Sequence, residues 1–194
     1  GRCGDAEGGV IGTVGGARDI AERKASEAFV LHLADHDALT DVRNRALLNE
    51  RRRQALAQAR RRGQRVAVAY LDLDGFKHVN DQHGHELGDR LLQQLAGCMR
   101  ASLREGDTIA RLGGDEFMVI VEDFDDRSVL GPIAQKLLDA IAQPFEIEEH
   151  EIFVTSSIGI AVYPDDSDDP EELLKHADVA MYRSKDLGRN TYQY

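Results

Sequence analysis

Two short stretches carry carboxylates whose spacing suits divalent cations. The first is Asp72-Leu73-Asp74, which closes the apolar run Val66–Leu71. A carboxylate at the end of a buried strand is costly unless it is hydrogen-bonded or bound to a cation, which makes Asp72 a metal-ligand candidate. The second is Asp115-Glu116, inside Arg111–Phe117 and directly after Gly113 and Gly114. Adjacent acids repel each other unless something positive stands beside them, and glycine lets another group approach the backbone closely. Gly-Gly-Asp is also ordinary turn chemistry, so a solvated turn and a metal or phosphate site both remain open for this stretch. Gly75–Asp81, just after the first pair, begins a loop or short helical turn whose amides could face a phosphate. His83 and His85 lack two further soft ligands at zinc spacing and read as turn histidines. Asp123, Asp125 and Asp126 lack the EF-hand spacing and read as a solvated acidic turn.

The elements that position these residues follow from periodicity. Val66–Leu71 is apolar at almost every position, as in a central strand buried on both faces. Thr108–Ala110 and Met118–Val121 flank the glycines and predict a β-hairpin with both carboxylates at its tip. Leu91, Leu95, Met99 and Leu103 mark a long helix, Leu130, Ile133, Leu137, Leu138 and Ile141 another. Ile152, Val154, Ser156, Ile158, Ile160 and Val162 alternate along one further strand. Thr40 or Asp41 caps a helix running to Gly63, and Asp169 with Pro170 caps one that Gly188 closes, with Lys185 in its last turn. The order β-α-β-β-α-β predicts an α+β fold: a ferredoxin-like sandwich with helices on one face of an antiparallel central sheet, and an extra C-terminal helix. If the strands are neighbours, Asp72 and Asp115 converge at one sheet edge.

With 194 residues, 42% hydrophobic and 30% charged, the chain has enough length for one domain with a core plus an appendage. Lys+Arg 24 against Asp+Glu 35 gives a net charge of -11, whose field repels nucleic acid and anionic lipid. Any anionic ligand must therefore be held by local cations or a metal. Arg51–Arg53 and Arg60–Arg62 read as a solvated helix face. Cys3 and Cys98 stand in no metal or redox spacing, which fits a reduced cytoplasmic setting. No apolar run is long enough to span a bilayer, although a full-length parent could be membrane-tethered.

Several motifs in order give the chain a resemblance to the GGDEF family, the diguanylate cyclases, from about Asp35 to Tyr194. They are Asp37-Ala38-Leu39-Thr40 with Asn44-Arg45, Asp72–Lys77 with Asn80-Asp81, Gly84-His85 with Gly88-Asp89, Gly113–Phe117, and Ala177-Asp178 with Met181-Tyr182, Lys185 and Gly188–Asn190. Gly8–Gly16 and the following Ala17–Lys24 resemble the closing strand and exit of a PAS sensor domain. The implied organisation is a PAS-like remnant over 1–18, a signalling helix over 19–36 and the cyclase domain over 37–194. Asn190–Tyr194 resembles the junction where many relatives continue into an EAL phosphodiesterase domain.

The resemblance implies a palm-like fold that condenses two GTP into cyclic di-GMP with release of two pyrophosphates. It implies that Asp72, Asp115 and the Leu73 carbonyl hold magnesium or manganese, two ions per GTP site, and that Asp115 or Glu116 takes the proton. Asn80 and Asp89 would read the guanine edge. Lys185 and Arg189, with amides around Phe76 and Lys77, would neutralise the phosphates. One such site holds one GTP, so the product requires a homodimer, at least transiently. Arg104 and Asp107 match the family's RxxD product-inhibition motif, with Lys136 as an accessory cation. Asp41 and Val42 depart from the usual glycine and leucine, away from the chemistry. Two alternatives accompany this reading: a silent GGDEF module that binds GTP or cyclic di-GMP, and a relaxed cyclase making a mixed dinucleotide.

Overall fold

The structure is a computed structural model that describes residues 34–194 together with residues 20 and 32. The PAS-like remnant expected over 1–18 and most of the signalling helix expected over 19–36 lie outside the described residues. The chain divides into two units, Gly1–Asp35 and His36–Tyr194. The second holds every element that forms the candidate site.

Helix α1 spans Arg45–Arg62 and ends at Gly63, whose φ of 66 supplies the left-handed C-cap. Its N-cap is Asn44, whose side chain accepts from the Leu47 N–H at 3.0 Å. Thr40 and Asp41, the caps expected from sequence, serve another turn. The Thr40 N–H and hydroxyl donate to Asp37 Oδ1 at 3.0 and 2.7 Å, and Asp41 takes a left-handed φ of 58. That backbone accounts for the glycine usual at this position. A side chain there costs roughly 1 kcal/mol, less for Asp than for most residues. Asp41→Gly is expected to raise stability by about 0.5 kcal/mol in urea denaturation. A lowered midpoint would mean that contacts of the Asp41 carboxylate, such as Arg100 at 3.9 Å, outweigh the strain.

The remaining elements are β1 (Arg65–Asp74), α2 (Phe76–His83), α3 (His85–Ser102), β2 (Thr108–Gly113), β3 (Glu116–Phe124), a 3-10 turn (Arg127–Val129), α4 (Leu130–Ile141), β4 (Phe145–Ile147), β5 (His150–Ile152), β6 (Thr155–Tyr163), α5 (Pro170–Asp186) and β7 (Thr191–Gln193). The main sheet runs β2-β3-β1-β6-β7. Its first four strands pair antiparallel, giving the expected ferredoxin-like core. Strand β7 adds to β6 in parallel, so the complete sheet is mixed.

The single strand read across Ile152–Val162 is two strands. Residues 150–152 form a separate hairpin with β4, and β6 begins at Thr155. Ile152 and Val154 both reach the core through this break, so alternation continues while the pairing partner changes. Alternation along β1 also divides the core. Ala67, Ala69, Leu71 and Leu73 pack with α3 and α4, whereas Val66 and Val68 pack with α1 and α5. The helices therefore cover both faces of the sheet, not one, which is why β1 is apolar at nearly every position. Among the described residues no helix is long and apolar enough to cross a membrane.

Candidate active site

Strand alternation puts Asp72 and Asp74 on the face covered by α5, at the open end of that layer. Asp72 stands opposite Glu116 of β3 and Ser157 of β6, and Asp74 opposite Thr155. The hairpin tip is brought to the same edge, where the Leu73 N–H donates to the Asp115 carbonyl at 3.3 Å. Gly113 and Gly114 have φ of 146 and 53, which allows the tip to fold back. Arg111 then clamps it. Its Nε and Nη2 donate to the Gly114 carbonyl at 3.0 and 2.8 Å, and its Nη1 to Asp37 Oδ1 at 3.0 Å. The Asp37 carboxyl is held below the usual range because hydrogen bonds from Thr40 and Arg111 outweigh its burial.

Helix α5 brings the cations. Its backbone lies directly on Gly159 of β6, where a Cβ would come 2.0 Å from the Ala177 carbonyl oxygen and 2.1 Å from the Met181 nitrogen. The Ser184 hydroxyl ties the last turn to the sheet by donating to the Ile158 carbonyl at 2.7 Å. From this anchored turn Lys185 Nζ reaches Asp72 Oδ1 at 2.8 Å. Burial pushes the Asp72 carboxyl up and the negative charges of Asp115 and Asp74 add to it. The hydrogen bond and charge of Lys185 pull the other way without cancelling the rise. Burial works to lower the Lys185 ammonium, but its bond to Asp72 outweighs that and the net shift is upward.

Asp74 is the more deeply built of the two strand-end acids, its side chain 5% exposed. It accepts from the hydroxyls of Thr155 and Ser157 at 2.8 Å each and from the Asn190 N–H at 3.3 Å, and Arg189 Nε stands 3.8 Å away. It thereby fixes the turn after α5, in which Arg189 and Asn190 take φ of 65 and 44.

Asp72, Leu73, Asp115, Lys185 and Arg189 line one open cleft of about 220 Å³, together with Phe76 and Lys77 at the start of α2. The first N–H groups of a helix have no intrahelical acceptor, so this end of α2 offers donors to an anion. The donor set fits a divalent cation of the magnesium type. Among the described residues no group of three or more His, Cys, Asp or Glu side chains could hold a metal by itself. Two carboxylates and a carbonyl suit an ion whose remaining ligands are water and substrate phosphate, which is how magnesium is usually held.

The expected guanine pair sits apart from the carboxylates, where α2 meets α3. Asn80 Oδ1 is buried without a hydrogen-bond partner among the described residues. It lies where a Cβ on Gly88 would fall, at 1.9 Å, beside Asp89, which is exposed on α3. An unpaired amide oxygen and an exposed carboxylate are both acceptors, which fits a base edge that presents N–H donors.

Glu116 does not line the cleft that holds Asp72 and Asp115. Its Oε2 accepts from the Tyr70 hydroxyl at 3.2 Å, and burial together with Glu116 pushes that phenol up to about 12. Arg104, Asp107 and Lys136 share a second cleft of about 320 Å³. There Arg104 Nε donates to Asp107 Oδ1 at 3.0 Å, and Arg104 also bonds the Glu122 carbonyl. Sequence reasoning missed Asp74, Tyr70, Arg111 and Gly159 as positioning residues. Asp74 and Tyr70 had a usable signal, since both share the parity of Asp72 along β1. Arg111 and Gly159 had none outside the tertiary contacts.

The fold is a palm-like α+β domain, with carboxylates and cations gathered on one cleft at the end of β1. The family described as diguanylate cyclase, GGDEF domain, matches residues 34–191, and the chain belongs to it. It is 50% identical over 163 residues to the bifunctional diguanylate cyclase/cyclic di-GMP phosphodiesterase MucR of Pseudomonas aeruginosa, covering 84% of this chain and 24% of that protein. The first relatives matched are all longer, and the chain spans 22–24% of their length. The solved GGDEF domain of TpbB from Pseudomonas aeruginosa superposes with a TM-score of 0.79 at 37% identity, over 81% of this chain and 92% of that one. The coiled coil and GGDEF domain of DgcB from Caulobacter crescentus, solved with c-di-GMP, gives 0.81 at 26% identity, over 92% and 94%.

Proposed function

We propose that this chain is a diguanylate cyclase domain that condenses two GTP into cyclic di-GMP. The observation that carries the reading is the convergence of Asp72, Asp115, Lys185 and Arg189 on one cleft at the end of β1. In each half-reaction the 3′-oxygen of one GTP bonds to the α-phosphorus of the other. The bond to the bridging oxygen breaks and pyrophosphate leaves. Asp115 or Glu116 accepts the proton of the 3′-hydroxyl. Asp72, Asp115 and the Leu73 carbonyl would hold magnesium or manganese, two per site, which polarise the α-phosphate and make the 3′-hydroxyl more acidic. Lys185 exchanges Asp72 for phosphate when nucleotide binds, and Arg189 with the amides of Phe76 and Lys77 takes the outer phosphates. Asn80 and Asp89 select guanine.

Each chain supplies one half of the reacting pair, so two chains meet as a two-fold homodimer. A PAS-like segment upstream and an EAL domain downstream would make this the cytoplasmic output or middle module of a longer protein. Cyclic di-GMP binding at Arg104, Asp107 and Lys136 would feed back on the rate. Arg104→Ala is therefore expected to leave the initial rate within about twofold of the parent while raising the product concentration for half-inhibition by about tenfold or more. An unchanged inhibition curve would remove the feedback site.

The deciding experiment incubates the purified chain with GTP and magnesium over a range of protein concentrations and identifies the product by mass. Cyclic di-GMP, formed with a rate per chain that rises with concentration, is expected. A second reading has support in the comparison itself, because NbdA of Pseudomonas aeruginosa, 38% identical over 169 residues, is described as a cyclic di-GMP phosphodiesterase with no cyclase function in its name. If no dinucleotide forms while GTP or cyclic di-GMP still binds, the chain is a regulatory nucleotide-binding module. Adding ATP to the same assay tests for a mixed dinucleotide.

A further inference from the structure

Tyr70 is a tyrosine in the middle strand of the sheet, half-buried, and directed to the face where α5 lies. Its partner in β6 is Gly159, the residue on which the α5 backbone rests. A phenylalanine ring would fill this space equally well, so packing gives no reason for the hydroxyl. A half-buried phenol needs a hydrogen-bond acceptor. The charged groups that act on it are Glu116 of β3, Asp178 of α5 and Arg45 of α1, and of these only Glu116 is hydrogen-bonded to it, through Oε2 at 3.2 Å.

The bond is diagonal across the sheet. Tyr70 stands opposite Met118, and Glu116 opposite Asp72, so one step along the strand pair connects the phenol to the residue facing the candidate metal ligand. Glu116 itself begins β3, next to the folded-back tip at Gly113 and Gly114, and carboxylates at such a position have several rotamers open to them. The hydroxyl removes that freedom on one oxygen and turns the carboxylate along the α5 face.

We propose that Tyr70 is a positioning residue that sets the orientation of Glu116 through its hydroxyl, with no contact of its own to substrate. This rests on the reading of the chain as a GTP-condensing enzyme, and it deepens that reading at Glu116. The arrangement is built into β1, two residues ahead of Asp72 in the chain, so the same strand that presents the candidate cation ligand also orients the neighbouring acid.

Two measurements test it. In the first, Tyr70→Phe is compared with the parent in steady-state synthesis from GTP. The expected result is a kcat lowered by about tenfold with KM for GTP within about twofold, because only the orientation of one acid is lost. An unchanged kcat overturns the inference, and so does a KM effect alone. In the second, urea midpoints are measured for Tyr70→Phe, Glu116→Ala and the double variant. Coupling is expected: the midpoint lost on removing the hydroxyl in the parent is not lost again when Glu116 is already alanine. Additive shifts overturn the pairing whatever the kinetics show. If the parent makes no dinucleotide, the cyclase reading fails and the kinetic role falls with it. The urea cycle then decides the Tyr70–Glu116 pairing separately.

Discussion

Asp72→Asn is expected to lower kcat/KM for GTP by about a thousandfold or more, with the folded state at least as stable as the parent. Both halves of that result follow from the same geometry. The carboxylate stands at the end of a buried strand beside Asp74 and Asp115, and burial together with those charges pushes it up. In the absence of a cation it is an unfavourable group to keep ionised, relieved only in part by Lys185 at 2.8 Å. A neutral amide of the same shape removes the repulsion and loses one largely buried ion pair, whose desolvation cost offsets much of its attraction, so the folding terms nearly cancel. Catalysis loses a charged oxygen ligand from a cation site assigned to Asp72, Asp115 and the Leu73 carbonyl, while Asp74 in the same cleft is committed to Thr155 and Ser157. Mutation of such electrostatic groups typically costs about 10²–10³ in rate for one neutral donor, and a metal ligand is the heavier loss. The measurements are product formation by mass and a urea melt on the same preparation. An active Asp72→Asn would remove the cation assignment. An inactive variant that is also strongly unfolded would show Asp72 to be structural.

Gly159→Ala should be the most destabilising single methyl that can be added to this domain's sheet. The new Cβ would stand 2.0 Å from a carbonyl oxygen and 2.1 Å from an amide nitrogen, both in the α5 backbone, and backbone cannot rotate away as a side chain can. Overpacking a tight interior typically costs 1–3 kcal/mol, and a clash with several main-chain atoms of one helix belongs at or above the top of that range, about 3 kcal/mol. The only relief is for α5 to lift off β6. That movement would strain the Ser184 bond to the Ile158 carbonyl and carry Lys185 and the Arg189 turn away from Asp72 and Asp74. The expected signature is a large drop in urea midpoint, with nucleotide affinity reduced in the fraction that remains folded. A midpoint within about 0.5 kcal/mol of the parent would mean that the helix has room to shift, and that its contact with Gly159 does not hold the cations in place.

These two positions also separate what the chain states locally from what it states only when folded. The hairpin around Gly113 and Gly114, the strand ending at Asp72 and the Asp169-Pro170 helix start were legible, because each rests on short-range rules. Glycine takes the left-handed turn, a buried strand reads as an apolar run, and an Asp side chain caps the N–H groups two and three residues on, as Asp169 Oδ1 does for Glu171 and Glu172 at 2.8 and 2.9 Å. Where two local rules competed, the reading failed. Thr40 and Asp41 have capping side chains, but the turn closed by Asp37 claimed them and left the helix to Asn44.

The partner of a strand has no such local signal. The β4–β5 hairpin was missed because in-out alternation is the same whichever strand lies alongside, and β7 because three residues at a sheet edge carry too little pattern. The second layer of helices was missed for a related reason: a strand buried on both faces says that something covers each face, not which helix does. By itself the sequence determined the types of residue needed for cation-assisted nucleotide chemistry and the elements that bear them. Only the tertiary structure decided that Asp72 meets Lys185, that Glu116 turns to Tyr70, that Arg111 clamps the hairpin tip to Asp37 and that Gly159 is the seat of α5. Each of these is a distance between residues far apart in the chain, fixed by sheet register and helix packing rather than by neighbours in sequence.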